Sequence, residues 1–135
     1  MKNIETYIIA EARRYYNNAK QILSDQAGKN EGFYKDRKYV RMAGNTVWNG
    51  VLIAMDAAYK VKNKKPADER VDYPDYQKEI NKERNSIANI FASAYEHCHK
   101  FMGYDGVLSY KTVSNALEYA DEIISFCELK LKQKK

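Results

Sequence analysis

The chain has 135 residues, 44% of them hydrophobic and 30% charged, which is enough for one domain with a real core and too apolar for a disordered chain. Two prolines and six glycines leave room for long helices, and two cysteines exclude a disulfide-built secreted framework. The N-terminal apolar run YIIA is too short for a signal sequence, and no stretch approaches the roughly 18 to 20 apolar residues of a membrane span, so a cytoplasmic protein without a membrane segment is expected.

The formal charge of +5 is unevenly placed. Lys130, Lys132, Lys134 and Lys135 end the chain, and Lys60, Lys62, Lys64 and Lys65 sit in KVKNKK. Taking those eight from the 23 Lys and Arg leaves 15 against 18 Asp and Glu. The excess therefore belongs to a basic tail, 130–135, expected to fray, and to a linker, rather than to a nucleic-acid-binding face.

Four helical segments are predicted in chain order. The first, Asn3 to Asp25, repeats Ile4, Ile8, Tyr15, Ala19 and Ile22 at helical spacing and ends at Gly28 as a C-cap. A polar loop, KNEGFY, follows. The second, Asp36 to Val61, carries Val40, Ala43, Gly44, Val47, Val51, Ala54, Met55 and Ala58 on one face, widened by Trp48, Leu52 and Tyr59. Gly44 and Gly50 lower its helix propensity, which makes sense if neighbouring helices approach closely; this is the expected central helix.

The stretch 61–75 is charged, holds Pro66 and Pro74, and reads as a mobile loop. The third segment, Asp75 to Met102, aligns Tyr76, Ile80, Ile87, Ile90, Phe91, Ala94, Cys98 and Phe101, with Gly103 as its C-cap. The fourth, from an N-cap at Ser109 to Leu131, aligns Val113, Ala116, Leu117, Ala120, Ile124 and Cys127. The pattern predicts one all-α domain over 1–135, an up-and-down four-helix bundle.

The stretch YEHCHKFMGYDG carries the most chemical lettering. On an α-helix His97 and His99 point about 160° apart, whereas helical metal ligands need spacings of three or four residues. No metal or other cofactor is expected. A hairpin turning near Tyr104 would set Cys98 opposite about Lys111, leaving Cys127 about 24 Å away, far beyond disulfide reach. Both cysteines read as core residues.

A polar strip of Arg41, Asn45, Asn49 and Asp56 runs along the second segment, able to hydrogen-bond a ligand or partner or simply to be solvated. Twelve tyrosines, some interleaved with Lys35, Arg37, Lys38 and Arg41, could stack on bases, or could line the core edge with wet hydroxyls. P-loop, GxGxxG, zinc-finger and RNP-type signatures are absent from the sequence.

Taken together, ARRYYNNAKQIL, RKYVRMAGNTVWNGVLIAMDAAY and HKFMGYDG resemble a family of small, uncharacterised helical proteins of Bacteroides-like bacteria, itself similar to the HEPN superfamily. The resemblance implies a helical bundle, often dimeric, acting either as a metal-independent ribonuclease or as a non-catalytic partner of a nucleotidyltransferase. The superfamily's ribonuclease motif places an Arg shortly before a His on one helix. Here Arg84, the nearest upstream arginine, stands 13 residues before His97, so the motif cannot be carried over.

The expected function is thus a non-catalytic, HEPN-like binding module that self-associates or docks on another protein. Its expected surface is Arg41, Asn45, Trp48, Asn49, Asp56 and Tyr104. The alternatives are an unconventional ribonuclease using His97 or His99 with Lys100, and a nucleotide- or RNA-binding domain.

Overall fold

The computed structural model describes residues 4–83 and 86–133. Among the described residues five α-helices form, α1 Ile4–Ile22, α2 Arg37–Tyr59, α3 Tyr73–Ile80, α4 Ile87–Ala94 and α5 Tyr110–Lys132, and these residues are all-α apart from one small hairpin. A π-helical turn, Leu23–Ala27, prolongs α1, and Gly28 ends it at φ 68°, a positive value that favours glycine. A longer π-helix, Tyr95–Tyr104, prolongs α4.

α2 is the central helix. Asp36 caps it, accepting the Lys38 backbone N–H at 3.1 Å, and Lys60 closes it in the left-handed region. Val40, Ala43, Val47, Val51, Ala54 and Met55 are fully buried against α1, the π-helix and α5. The two helical glycines face different neighbours. A Cβ on Gly50 would lie 3.0 Å from the Ala12 carbonyl oxygen of α1, and one on Gly44 would lie 2.5 Å from the Gly103 nitrogen of the π-helix.

The third predicted segment is not one helix. It starts earlier, at Tyr73, and breaks after Ile80 into turns in which Lys82 and Glu83 donate backbone N–H groups to the Glu79 and Ile80 carbonyls. It resumes at Ile87. The four-helix expectation fails here because Ile80 and Ile87, seven residues apart, fit an unbroken stripe just as well. Asn81 and Ser86 are residues whose side chains compete with the helical backbone. Arg84 lies outside the described residues, so its distance from His97 stays a statement about sequence.

KNEGFY is likewise more than a loop. Lys29–Asn30 and Phe33–Tyr34 pair as antiparallel strands β1 and β2, with Lys29 opposite Tyr34. Glu31 and Gly32 turn between them at φ 48° and 85°, the positive pair that a two-residue hairpin needs. The hairpin docks on the start of α5, where Tyr34 N–H donates to Leu108 O at 2.8 Å and Tyr110 N–H to Gly32 O at 3.0 Å. Ser109 caps α5 as expected, its hydroxyl accepting the Thr112 N–H at 3.3 Å.

Two segments expected to be loose make specific contacts in the structure. In 61–75 a 3-10 turn, Val61–Lys64, is followed by Lys65, which ion-pairs with Asp75 at 2.8 Å and donates to Arg70 O at 3.0 Å. At the basic end α5 stays helical through Lys132, and Lys130 pairs with Glu83 at 3.0 Å. Lys134 and Lys135 lie outside the described residues.

Candidate functional site

The polar strip of α2 divides into parts with different work. Arg37, Arg41 and Asn45, each four residues after the last, face the end of the π-helix. Arg37 Nη1 donates to Gly106 O at 3.1 Å, Arg41 Nε to Tyr104 O at 3.1 Å, and Asn45 Nδ2 makes a long contact of 3.5 Å with Gly103 O. These carbonyls have no later helical turn to bond, so the strip caps them, and cations suit the negative end of the helix.

Gly103 sits inside this π-helix and does not cap it, contrary to the sequence reading. A Cβ there would meet Asn45 Oδ1 at 2.6 Å, so small size at the α2 contact is what the position demands. The left-handed residue that releases the chain is Gly106, at φ 64°.

Asp56, at the other end of the strip, closes the contact between α2 and α3. Its Oδ2 accepts the Tyr76 hydroxyl at 2.9 Å and pairs with Lys62 at 3.6 Å, while Oδ1 is buried without a protein partner. The middle of the strip, Trp48 and Asn49, opens onto a cavity. The strip is therefore two structural clasps with a cleft between them.

Trp48, 6% exposed, forms the cleft floor. Its ring lies 5.6 Å from Phe91, 5.5 Å from Tyr95 and 6.1 Å from His99. Tyr73 stacks on Tyr95 at 3.7 Å and 10°, and Tyr95 is followed by His99 at 5.3 Å and 22°. Tyr73 is delivered by the first turn of α3, where Asp75 Oδ2 accepts the Asp72 N–H at 2.8 Å.

Two recesses meet at these rings. One of about 400 Å³ includes Trp48, Asn49, Leu52, Tyr73, Tyr76, Tyr95 and His99, with Arg70 at its rim. The other, about 360 Å³, is bounded by Tyr95, His99, Lys100, Phe101, Tyr104 and Asp105. Lys100 Nζ stands 5.1 Å over the Tyr95 ring. Burial, helped by the Lys100 charge, lowers the His99 pKa and keeps its imidazole neutral near pH 7.

The two histidines do diverge. His97 faces away from the cleft, with Nδ1 2.9 Å from Ser93 O and its ring edge-on to Phe101 and Tyr119, each at 5.0 Å. Cys98 points between them into the core and donates to Ala116 O at 3.3 Å. That partner lies five residues beyond Lys111, since the π-helix and the turn before Ser109 shift the register of a simple hairpin. Cys127 packs 3.8 Å from the Met55 sulfur, and both thiols are free.

Burial pushes the Cys98 thiol well up and the Cys127 thiol up to about 12, so neither supplies a thiolate near neutral pH. Among the described residues, no three of His, Cys, Asp or Glu come together as metal ligands, and no helix is long and apolar enough to cross a membrane.

Sequence reasoning missed Tyr73 and Tyr95. Tyr73 precedes Pro74 in what reads as a loop, but the four-residue spacing of Tyr95 and His99 was a usable signal. Fold and site together define a small all-α protein with an aromatic cleft at its central helix. Residues 7–129 match the family described as Domain of unknown function (DUF5618), and the chain belongs to that family. Among solved structures it is similar to a protein of unknown function from Dyadobacter fermentans, 38% identical, with a TM-score of 0.85 over 96% of this chain and 99% of that one. The search of curated proteins finds no match.

Proposed function

We propose that this protein is a non-catalytic, HEPN-like binding module that works as a homodimer and receives its ligand in the cleft between α2, α3 and the π-helix. The observation that carries the reading is the meeting of two recesses at the rings of Tyr95 and His99. Ligand sites are typically concave, apolar surfaces furnished with a few polar groups; the recess of Tyr95, His99, Phe101 and Tyr104 is mostly apolar, and the one beside Trp48 adds polar groups in about equal share. The HEPN likeness draws support from the long α2 with its small residues and from the tyrosine-bearing junction before the last helix. A partner protein, such as the nucleotidyltransferase that the resemblance implies, would be an alternative occupant of the dimer face.

The test uses 8-anilinonaphthalene-1-sulfonate as a general cleft probe. The folded protein should bind it saturably, and Tyr95→Ala or His99→Ala should weaken that binding about tenfold without loss of helicity. Equal dye binding by both variants would remove the cleft from the reading. The ribonuclease alternative keeps one supporting observation, that His99 and Lys100 share a recess. Metal-free protein incubated with RNA is expected to leave it intact; cleavage abolished by His99→Ala would favour that alternative.

A further inference from the structure

We infer that the recess between His99 and Tyr104 takes an uncharged planar heteroaromatic ring, stacked against the exposed side of the His99 imidazole. The inference rests on the cleft being a binding surface, and it names the chemical class of the ligand.

Helix type sets the geometry. In an α-helix, residues 99 and 104 would stand about 140° apart. Tyr95–Tyr104 instead winds as a π-helix, bonded five residues apart, and that wider turn brings His99 and Tyr104 to the walls of one recess. Single-turn π insertions concentrate at functional sites. This one runs for ten residues and is held open from α2 by the close approach at Gly44.

The rings specify a flat ligand. Tyr73, Tyr95 and His99 form a column with interplanar angles of 10° and 22°, and the column ends at His99, the most exposed of the three. One more ring would continue it, with Tyr104, 79% exposed, beside it. A cavity of about 360 Å³ suits a fused two- or three-ring system.

Charge then narrows the class. Across both recesses Arg70 and Lys100 are matched by Asp72 and Asp105. Arg70 already pairs with Asp72 at 2.9 Å, and Lys100 lies over Tyr95. Among the described residues the two recesses hold no surplus of cations for a phosphate. His99, its pKa lowered by burial, presents an uncharged stacking face and so adds no cation to the recess.

Trp48 is the single tryptophan of the chain and lies 6.1 Å from the His99 ring, so its fluorescence reports on the site. Adenine and lumichrome, both uncharged, should change that fluorescence saturably, and AMP should bind no more tightly than adenine. His99→Ala and Tyr104→Ala should each weaken binding about tenfold, a size expected for one stacking partner. His99→Phe should restore most of it, as it keeps the stacking face.

Absence of saturable binding by both heterocycles would overturn the inference. So would AMP affinity more than tenfold above that of adenine, or unchanged affinity in both alanine variants. If the naphthalene dye still binds in a manner lost in His99→Ala while the heterocycles do not, the binding cleft stands and the ligand class falls. If neither binds, both fall.

Discussion

At Gly44 the backbone of α2 comes so near the π-helix that an added Cβ would sit 2.5 Å from Gly103 N and 2.8 Å from Cys98 O. Both are backbone atoms, so no side chain can swing aside, and the two helices would have to part. Gly44→Ala should therefore cost about 2 kcal/mol or more despite its better helix propensity, lowering Tm by roughly 8 °C. Thermal melts followed by circular dichroism would show it, and a Tm within a degree of the parent would refute the close approach. Asn49→Ala, at an exposed position of the same helix, is the natural control.

Glu83 gives a residue-scale prediction in pH. It accepts the Tyr59 hydroxyl at 2.6 Å and pairs with Lys130 at 3.0 Å, and these contacts, the hydroxyl first, hold its carboxyl below the ordinary range. A depressed folded-state pKa means stabilisation that is present above the unfolded value of about 4.3 and lost as the pH falls through the folded value. Glu83→Gln should lower the urea midpoint at pH 7 yet match the parent near pH 3. A constant gap between the two proteins across that range would show that Glu83 acts through packing and not through its charge.

Among the elements, the π-helix depends on α2 for its ending. Arg37 and Arg41 cap carbonyls between Tyr104 and Gly106, and each bond should be worth about 1 kcal/mol at this partly wet surface. Arg41→Ala is expected to destabilise the protein by that amount and to speed hydrogen exchange at the amides of Asp105, Gly106 and Val107, which bond back into the π-helix. Unchanged exchange at those three amides would mean the helix end holds itself.

The elements also show what local sequence could reveal. α2 and α5 were legible because their stripes are long and their starts are marked by Asp36 and Ser109. The break after Ile80 was hidden, because a gap of seven residues preserves the helical face. The π-helix was hidden for a related reason: its wider turn comes from the fit of Gly103 against Gly44 and Asn45, a tertiary fact with no local signature. The cleft inherited that obscurity. Trp48, Asn49, His99 and Tyr104 were visible as candidates, but the stacking of Tyr73 on Tyr95 needed the path of 61–75, whose prolines and charges read as a loop.

For the whole molecule, the open question of assembly turns on one end of the bundle. Gly50 lies against Ala12, Cys127 against Met55, and Arg13 pairs with Asp121, so α1 and α5 pack against each other as well as against α2 and run antiparallel to one another. That arrangement sets the start of α1 beside the end of α5. There Ile4 is 74% exposed, Tyr7 66% and Leu129 55%, apolar side chains left in water at the same end of the chain's core. Exposed apolar groups at one end offer a surface for the proposed dimer, and a two-fold interface would use the same residues from both copies. The cleft opens elsewhere, on α2, α3 and the π-helix, so a dimer formed at this end leaves it accessible. Sedimentation at tens of micromolar should give twice the monomer mass. Tyr7→Glu and Leu129→Glu should each shift the protein to the monomer while leaving binding of the naphthalene dye intact. A monomeric parent would refute the dimer, and loss of dye binding on dissociation would place the second copy at the cleft instead.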